Sequence, residues 1–284
     1  MYININGKVV EEKEAAISPY DHGYLYGVGV FETFRTYNGH PFLFTDHFNR
    51  LCESLQALQI SLPYTEVELL QEVRRTIEAN EVGDAYVRLN ISAGIEEIGL
   101  RTDPYLTPTL IIYVKPIGEP VRKEKQGMIL TLRRNSPEGQ TRLKSHHYLN
   151  NILAKREVGN DPSVEGIFLS QEGFLAEGIV SNLFWVKNDE LYTPSLSTGI
   201  LNGITRRYMM NAAKNLGISV IEGNFVREEL FEADEVFVTN SIQEIVPLHH
   251  IEHVEYPGLK GSITNRLILQ YEQHRVSLFS RTEC

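Results

Sequence analysis

A lysine at position 144 raises the question of chemistry, because it stands in the stretch RLKSHHYLNNILAKRE, just before a helical pattern. A lysine nucleophile has to be deprotonated, or already held as an imine, to work near neutral pH. Positive neighbours depress the pKa of an ammonium group, and Arg142 lies close in sequence. A lysine in a polar loop is usually a solvated charge, so Lys144 alone does not define a site.

A glutamate is the second candidate, in the stretch GFLAEGIVSNLFWVKNDELYTP. Glu177 and Gly178 occupy a short gap between two strand-like runs, where a glutamate is expected to be partly buried. A buried carboxylate needs a partner to stay charged, and a protonated ring nitrogen of a bound group would serve. The alternative is a turn glutamate that faces water.

Two further stretches could hold a phosphate. In TGILNGITRRYMMNAAKNLG, Gly203 precedes a predicted helix that begins near Ile204 or Thr205, and free amides at a helix N-terminus bind anions. In DEVFVTNSIQEIVPL, the pair Asn240-Ser241 follows a strand and offers polar side chains. Either stretch taken alone is also typical of an ordinary turn.

The elements that must position these residues begin with two Asn-Gly pairs, Asn6-Gly7 and Asn38-Gly39, which predict tight hairpins. Two helical patterns follow, one with Thr45 as N-cap and one with the capping-box spacing of Thr65 and Glu68. Arg50 lies on the first of these helices, and its planar fork could clamp a phosphate, although a surface charge is the usual role.

A shift in composition divides the chain. The stretch KPIGEPVRKEKQG, residues 115–127, is rich in proline, glycine and charge and predicts a linker. Residues 1–114 then form a small α/β domain. Residues 128–284 form a larger domain with six strand patterns and helices predicted over 146–158, 204–216 and 262–275. The fold class is therefore α+β.

The bulk composition limits the partners. The chain has 284 residues, 42% of them hydrophobic, with a formal charge of −10 and a pI near 5.4. This acidic balance argues against broad binding of nucleic acid or anionic membrane. No signal peptide, membrane span or metal-ligand spacing is visible, so the expectation is a cytoplasmic enzyme without a metal.

Taken in order, the early arginine, the mid-chain lysine, the later glutamate, the Gly-Ile-Thr helix start and the polar strand end form a set. This set resembles the fold-type IV pyridoxal-phosphate enzymes, which include branched-chain aminotransferases, D-amino-acid aminotransferases and aminodeoxychorismate lyases. The resemblance covers nearly the whole chain, from Asp21-His22-Gly23 through GVGVFET to NSIQEIVP. It implies a small N-terminal domain, a larger strand-rich pseudo-barrel domain and a homodimer.

The resemblance also implies a role for each candidate. Lys144 would form the Schiff base with pyridoxal 5′-phosphate and carry protons, and Glu177 would pair with the pyridine nitrogen. The phosphate would be bound by one arginine and by two backbone turns, and Tyr148 would contact the phenolic oxygen. The cofactor-binding set is therefore Arg50, Lys144, Tyr148, Glu177, Gly203, Ile204, Thr205, Asn240 and Ser241.

Departures from the aminotransferase patterns favour the lyase branch. The region YVRLNISAGIEEIGLR lacks the Arg-x-His pair of the D-specific enzymes, whereas Arg88 in it is similar to the branched-chain members. The strand end reads Asn240-Ser241 where both aminotransferase groups usually show Gly-Thr or Ser-Thr. The resemblance thus implies conversion of 4-amino-4-deoxychorismate to p-aminobenzoate and pyruvate.

A dicarboxylate substrate requires local positive charge despite the net −10. The candidate substrate residues are Tyr26, Thr33, Arg88, Arg101 and Arg142, and for each arginine the alternative is a solvated or salt-bridged side chain. An aminotransferase acting on branched-chain or D-amino acids is the alternative enzyme. A non-catalytic binding protein on the same scaffold, or a structural protein with coincidental motifs, remains an alternative outside that class.

Overall fold

The computed structural model describes all residues, 1–284, and the chain folds into two compact units. The first unit holds Met1–Glu119, Leu143–His147 and Arg275–Glu283, and the second holds Pro120–Arg142, Tyr148–His274 and Cys284. Both units mix helices with sheets, which confirms the α+β fold class. None of the seven α-helices is both long and apolar enough to cross a membrane.

These units differ from the predicted division into 1–114, 115–127 and 128–284. A strand begins inside the predicted linker, because Gln126 pairs with Val164 of a parallel neighbour. The pentapeptide Leu143–His147 and the stretch Arg275–Glu283 belong to the first unit, although both lie in the predicted second domain. Backbone hydrogen bonds fix them there, such as the bond from Leu43 N to Leu278 O at 3.1 Å.

The first unit is built on a six-stranded antiparallel sheet with the strand order β2-β1-β6-β5-β3-β4. Asn6 and Gly7 join β1 to β2 with φ of 49° and 80°, and Asn38 and Gly39 join β3 to β4 with φ of 51° and 77°. Positive φ at both positions is type I′ geometry, so both predicted hairpins are confirmed. The strands are β1 Tyr2–Ile5, β2 Lys8–Glu11, β3 Gly29–Tyr37, β4 His40–Pro41, β5 Ala85–Ser92 and β6 Thr109–Pro116.

Three helices belong to this unit: α1 His22–Leu25, α2 Phe44–Ala57 and α3 Glu66–Ala79. The predicted capping box of α3 is confirmed, since Thr65 and Glu68 bond reciprocally. The predicted N-cap Thr45 is wrong, because the N-cap of α2 is Leu43, two residues earlier, and Leu43 has left-handed backbone angles. Thr45 Oγ1 instead donates to Glu66 Oε1 at 2.5 Å and so ties α2 to α3.

The buried core of the first unit joins one face of the sheet to α2 and α3. Alternate residues of β3 and β5 point into it, as the period of two in a strand requires. The opposite face of the same strands is therefore left for other contacts. The core includes Val30, Phe34, Leu51, Leu55, Leu69, Val73, Val87, Leu89 and Ile91.

Strands of the second unit form a sheet with the order β12-β11-β10-β13-β14-β7-β8-β9, and β15 pairs with β14. A further pairing of β9 with β10, at Glu177 and Asn182, closes six of these strands into a ring. This closure confirms the predicted pseudo-barrel. The strands are β7 Lys125–Ile129, β8 Val164–Leu169, β9 Leu175–Gly178, β10 Asn182–Lys187, β11 Glu190–Pro194, β12 Val220–Gly223, β13 Glu235–Asn240, β14 Glu244–Ile251 and β15 Val254–Glu255.

The helices of the second unit are α4 Leu149–Val158, α5 Ile204–Asn215, α6 Glu228–Phe231 and α7 Ser262–His274. The predicted helices over 204–216 and 262–275 agree with α5 and α7 to within one residue. The helix predicted to start at 146 starts at Leu149 instead. His146 belongs instead to an extended segment paired with β3: Ser145 forms an antiparallel bridge with Val30, and His146 N bonds to Gly29 O at 3.0 Å.

Candidate active site

Lys144 is held in an extended segment that adds to the free side of β3. Lys144 O accepts a hydrogen bond from Phe31 N at 2.9 Å, and Ser145 forms an antiparallel bridge with Val30. Residues opposite each other in an antiparallel pair point to the same face. Lys144 therefore shares the face of Phe31, the face turned away from the hydrophobic core.

Two positively charged side chains on this face contact the same phenylalanine ring. Lys144 Nζ lies 4.5 Å from the centroid of the Phe31 ring, and Arg88 Cζ lies 3.6 Å from it. Thr33 is the cross-strand partner of Arg88. Two residues predicted to contact substrate, Thr33 and Arg88, thus lie on the same face of the sheet as Lys144, and cation–π contacts favour this arrangement.

Behind β3, a carboxylate lies buried between the strand and α2. Glu32 Oε1 accepts from Arg50 Nε at 2.7 Å, Glu32 Oε2 accepts from Arg50 Nη2 at 2.5 Å, and His47 Nδ1 lies 2.6 Å from Oε2. Burial alone would raise the pKa of Glu32, but the charge and hydrogen bonds of Arg50, with those of His47, lower it to about 2. Burial lowers the pKa of His47, and the hydrogen bond that His47 donates to Glu32 opposes this shift.

The predicted phosphate ligand Arg50 is thus already engaged on two of its nitrogen atoms by Glu32. Glu32 was not predicted as a functional residue; it lies inside the strand-like run GVGVFETF and is 2% exposed. A phosphate contact by Arg50 stays a prediction, and such a contact would share the guanidinium with Glu32.

Glu177 of the second unit is 5% exposed, as its position between apolar strands predicts. Its charge is balanced within the chain, because Arg134 Nε donates to Glu177 Oε1 at 2.8 Å. Leu201 N donates to Oε2 at 3.0 Å, and Asn182 Nδ2 lies 3.4 Å from the same atom. A cofactor nitrogen was the predicted partner that keeps Glu177 charged; the partner that the chain itself supplies is Arg134.

Arg134 was not predicted, and it is fixed by asparagines of the first turn of α4. Its Nη1 donates to Asn150 Oδ1 at 2.7 Å and lies 3.4 Å from Asn151 Oδ1. Asn151 Nδ2 in turn donates to Ile179 O. The sequence signal was the adjacent pair Asn150-Asn151 in a helix that is otherwise apolar or charged, since asparagine in a helix often makes a specific hydrogen bond.

The predicted phosphate cradle occupies the start of α5. Gly203 is the N-cap, and a Cβ there would lie 2.1 Å from Asn182 Oδ1, so only glycine fits. Thr205 Oγ1 lies 3.3 Å from Ser241 Oγ, which brings the two predicted stretches together within this unit. The first turn of a helix leaves N–H groups without intrahelical acceptors.

The side chain of Asn240 shapes a turn, and its contact with a phosphate stays a prediction. Asn240 Oδ1 accepts from Ile242 N at 2.9 Å and from Gln243 N at 2.7 Å, and so shapes the turn between β13 and β14. Beside it, Thr239 Oγ1 is buried and has no hydrogen-bond partner in the chain. The strand β14, which this turn introduces, was absent from the predicted strands.

The remaining predicted residues have partners of their own. Arg101 forms a salt bridge with Glu96, and Tyr26 Oη accepts from Gly99 N at 2.9 Å. Arg142 belongs to the second unit, where it donates to Gly199 O, and burial together with the charge of Arg134 lowers its pKa to about 10. Tyr148 is the N-cap of α4. Roles of these four residues toward substrate or cofactor stay predictions.

Comparison with known proteins identifies the family. The family model described as amino-transferase class IV matches residues 29–251. The aminodeoxychorismate lyase of Bacillus subtilis (strain 168) is 50% identical over 276 residues, 95% of this chain and 94% of the relative. This chain belongs to the class IV family. The predicted family is thereby confirmed.

Other relatives are named for a different reaction. A D-alanine aminotransferase of Listeria monocytogenes is 32% identical over 277 residues, 94% of this chain and 93% of the relative. The crystal structure of a branched-chain aminotransferase from the archaeon Thermoproteus uzoniensis, with norvaline, is 32% identical with a TM-score of 0.87. That match covers 97% of this chain and 95% of the other.

The second unit fits the phosphate and ring nitrogen of a pyridoxal group, as expected of a class IV chain. Gly203 leaves no room for a Cβ, Thr205 and Ser241 offer paired hydroxyls, and Thr239 Oγ1 is an unsatisfied buried hydroxyl. Glu177 is a buried carboxylate whose oxygen atoms already accept from an arginine and a backbone amide. Such a carboxylate is suited to hold a protonated ring nitrogen.

Acid should weaken the first unit through Glu32. A carboxyl whose folded pKa is about 2 and whose ordinary value is 4.5 stabilises the fold above pH 4.5, and this stability is lost as the pH falls toward 2. We expect Glu32→Gln to lower the free energy of unfolding at pH 7 by on the order of 3 kcal/mol. In urea titrations at several pH values, this difference should shrink between pH 4.5 and 2. The exposed Glu78→Gln should not show it, and a difference independent of pH would contradict the assignment.

Removing Arg134 should leave Glu177 buried without its hydrogen-bonded cation, because the other nearby arginine, Arg142, has its Nε 4.0 Å from Glu177 Oε1. We expect Arg134→Leu to lower the free energy of unfolding by about 3–5 kcal/mol, whereas Arg133→Leu at the exposed neighbouring position should change it little. In a Glu177→Gln background the Arg134→Leu change should cost at least about 1 kcal/mol less, because no charge is stranded. Strictly additive losses in this double-mutant cycle would show that the two side chains do not stabilise each other.

Proposed function

We propose that this chain is an aminodeoxychorismate lyase, which converts 4-amino-4-deoxychorismate to p-aminobenzoate and pyruvate in folate synthesis. The observation that carries this proposal is the 50% identity with the Bacillus subtilis aminodeoxychorismate lyase across 95% of the chain. The class IV match and the arrangement of Lys144 with Arg88 and Thr33 on one face of the first sheet support it.

The proposed cofactor is pyridoxal 5′-phosphate, which supplies an electron sink when bound. In this proposal Lys144 is the residue of covalent attachment, and Glu177 holds the ring nitrogen in its protonated form. Gly203 and Thr205 at the start of α5, with Ser241, bind the phosphate. Arg50, Tyr148, Ile204 and Asn240 complete the proposed cofactor-binding set.

Lys144 Nζ is also the proposed proton carrier. It removes the proton from the substrate carbon that bears the ring amine, while the bond to the enolpyruvyl oxygen breaks and the ring becomes aromatic. The enolpyruvyl fragment gains a proton and leaves as pyruvate. All atoms of p-aminobenzoate and pyruvate come from the one substrate, so no second keto acid is consumed. Arg88 shares the Phe31 ring with Lys144, so the two positive side chains lie on the face of the sheet where this step is proposed.

Arg88 is the proposed anchor for a substrate carboxylate. Its Nε donates to Asn90 Oδ1 at 3.1 Å, and no carboxylate of the chain lies within salt-bridge distance of it. Arg101 by contrast is already paired with Glu96. A half-buried arginine without an acidic partner can bind a carboxylate with both terminal nitrogen atoms. This supplies local positive charge on a chain with a net charge of −10.

A homodimer in the cytoplasm is part of the proposal. The first unit carries apolar side chains that are strongly exposed in the single chain: Tyr24 at 70%, Ile98 at 71%, Leu106 at 69% and Leu100 at 94%. Three of these four residues fall within residues 98–106, and grouped exposed apolar residues favour a protein partner, here a second copy. Both cysteines, Cys52 and Cys284, are free thiols, which is typical of a reducing compartment.

An aminotransferase is the second candidate function. The observation that favours it is the similarity to the D-alanine aminotransferase and the branched-chain aminotransferase described above, each at 32% identity. Such an enzyme would use the same lysine and carboxylate, but it would need a keto acid to accept the amino group.

The deciding measurement is release of p-aminobenzoate when the purified, cofactor-loaded protein meets 4-amino-4-deoxychorismate without any keto acid. We expect release by the wild type and a loss of at least about 10³-fold in Lys144→Ala, because the covalent attachment and the proton carrier are removed together. Lys155→Ala, an exposed lysine on α4, should behave as the wild type. Turnover of amino acids only after 2-oxoglutarate is added, with no p-aminobenzoate, would move the function to an aminotransferase.

A further inference from the structure

Three side chains, Arg88, Asn90 and His146, form a hydrogen-bond network on the Lys144 face of the first sheet. Arg88 Nε donates to Asn90 Oδ1 at 3.1 Å, and Asn90 Nδ2 lies 2.9 Å from His146 Nε2. Arg88 and Asn90 alternate along β5, whereas His146 comes from the extended segment that also carries Lys144. The three residues therefore join the predicted carboxylate anchor to the lysine segment.

The donor and acceptor roles in this network fix the orientation of the Asn90 amide and the tautomer of His146. Arg88 Nε can only donate, so the oxygen of the Asn90 amide must face it and the NH₂ group must face His146. His146 Nε2 must then accept, which places the ring proton on Nδ1 and leaves the ring neutral. Burial, and after it the charge of Arg88, lowers the pKa of His146 to about 4. Asp21 and His147 are the other charged or titratable groups that act on this ring.

The ring of His146 is also fixed in space. A Cβ on Gly29 would lie 2.4 Å from His146 Cε1, so the histidine ring occupies the space that a side chain on β3 would need. The ring stacks on Phe31 with an interplanar angle of 27°, and the backbone N of His146 bonds to Gly29 O. Phe31 thus contacts Arg88, Lys144 and His146 together.

We propose that His146 and Asn90 are positioning residues that orient the guanidinium of Arg88 toward a substrate carboxylate. Neutral His146 sets the orientation of the Asn90 amide, and the amide oxygen holds Arg88 by Nε. Both terminal nitrogen atoms of Arg88 remain for the carboxylate. The substrate part of this inference rests on the proposed function, whereas the hydrogen-bond network of Arg88, Asn90 and His146 does not.

Two substitutions at position 146 are expected to affect Arg88 differently. His146→Gln keeps a neutral acceptor that can reach the Asn90 amide, and His146→Phe keeps a ring of similar shape beside Gly29 but removes the acceptor. Asn90→Leu removes the central member of the hydrogen-bond network. A residue with a merely structural role would tolerate the phenylalanine at least as well as the glutamine.

The first measurement follows the Arg88 Nε–H resonance in ¹⁵N NMR spectra of the cofactor-loaded protein. We expect a protected signal in the wild type and in His146→Gln, and its loss or exchange broadening in His146→Phe and Asn90→Leu. His147→Phe, at the exposed neighbouring position, should retain it. An unchanged Arg88 signal in both His146→Phe and Asn90→Leu would overturn the proposal whatever reaction the enzyme catalyses.

The second measurement compares binding of p-aminobenzoate with that of its neutral isostere p-aminobenzamide, by calorimetry on the same proteins. We expect the wild type and His146→Gln to prefer the carboxylate, and His146→Phe and Asn90→Leu to lose about tenfold or more of this preference, as Arg88→Met would. Full preference in His146→Phe would overturn the positioning role. A wild type that shows the Arg88 signal but releases no p-aminobenzoate would overturn only the proposed function.

Discussion

The buried carboxylate of Glu177 is the constraint on which the second unit depends. Glu177 stands where β9 pairs with β10 and closes six strands into a ring, so its backbone cannot move without opening the ring. A charge at that position has to be neutralised, because isolated buried carboxylates are strongly destabilising. Arg134 provides the neutralising charge, and the asparagines of α4 hold Arg134. The ring closure and the proposed chemistry are linked through Asn182, which pairs with Glu177, donates to Leu201 O at 2.8 Å and fills the space above Gly203.

Sequence patterns predicted the parts of this fold that short-range physics decides. The Asn-Gly hairpins and the capping box at Thr65 depend on neighbouring residues only, and both agree with the structure. The start of α5 behind Gly203 was also predicted correctly. The predicted start of α4 was wrong because a long-range contact overrides the local helical preference: His146 bonds to Gly29 and is kept extended. No pattern within a window of the sequence contains that bond.

The same distinction explains which buried partners could be predicted. Lys144 and Glu177 were singled out because the resemblance to a known family implies roles for them. Arg134 lies 43 residues from Glu177 in sequence and looked like one surface arginine among many. Glu32 was visible as a charge in an apolar strand, yet its partner Arg50 had already been assigned to phosphate. A charged residue inside an apolar strand pattern is expected to pair with a buried residue of opposite charge in the same protein. That pairing should be sought before the partner is assigned to a ligand.

The two faces of the first sheet show how an acidic chain can still present a cationic surface. On the core side, Glu32 compensates Arg50 and is itself held by His47, so the buried charges are balanced. On the other side, Arg88 and Lys144 share the Phe31 ring, and the neutral Asn90 hydrogen-bonds the guanidinium of Arg88. An amide in place of a carboxylate at position 90 orients the arginine without cancelling its charge. The positive potential needed by an anionic substrate is thus kept by the choice of a neutral neighbour, and the net charge of the chain does not decide it.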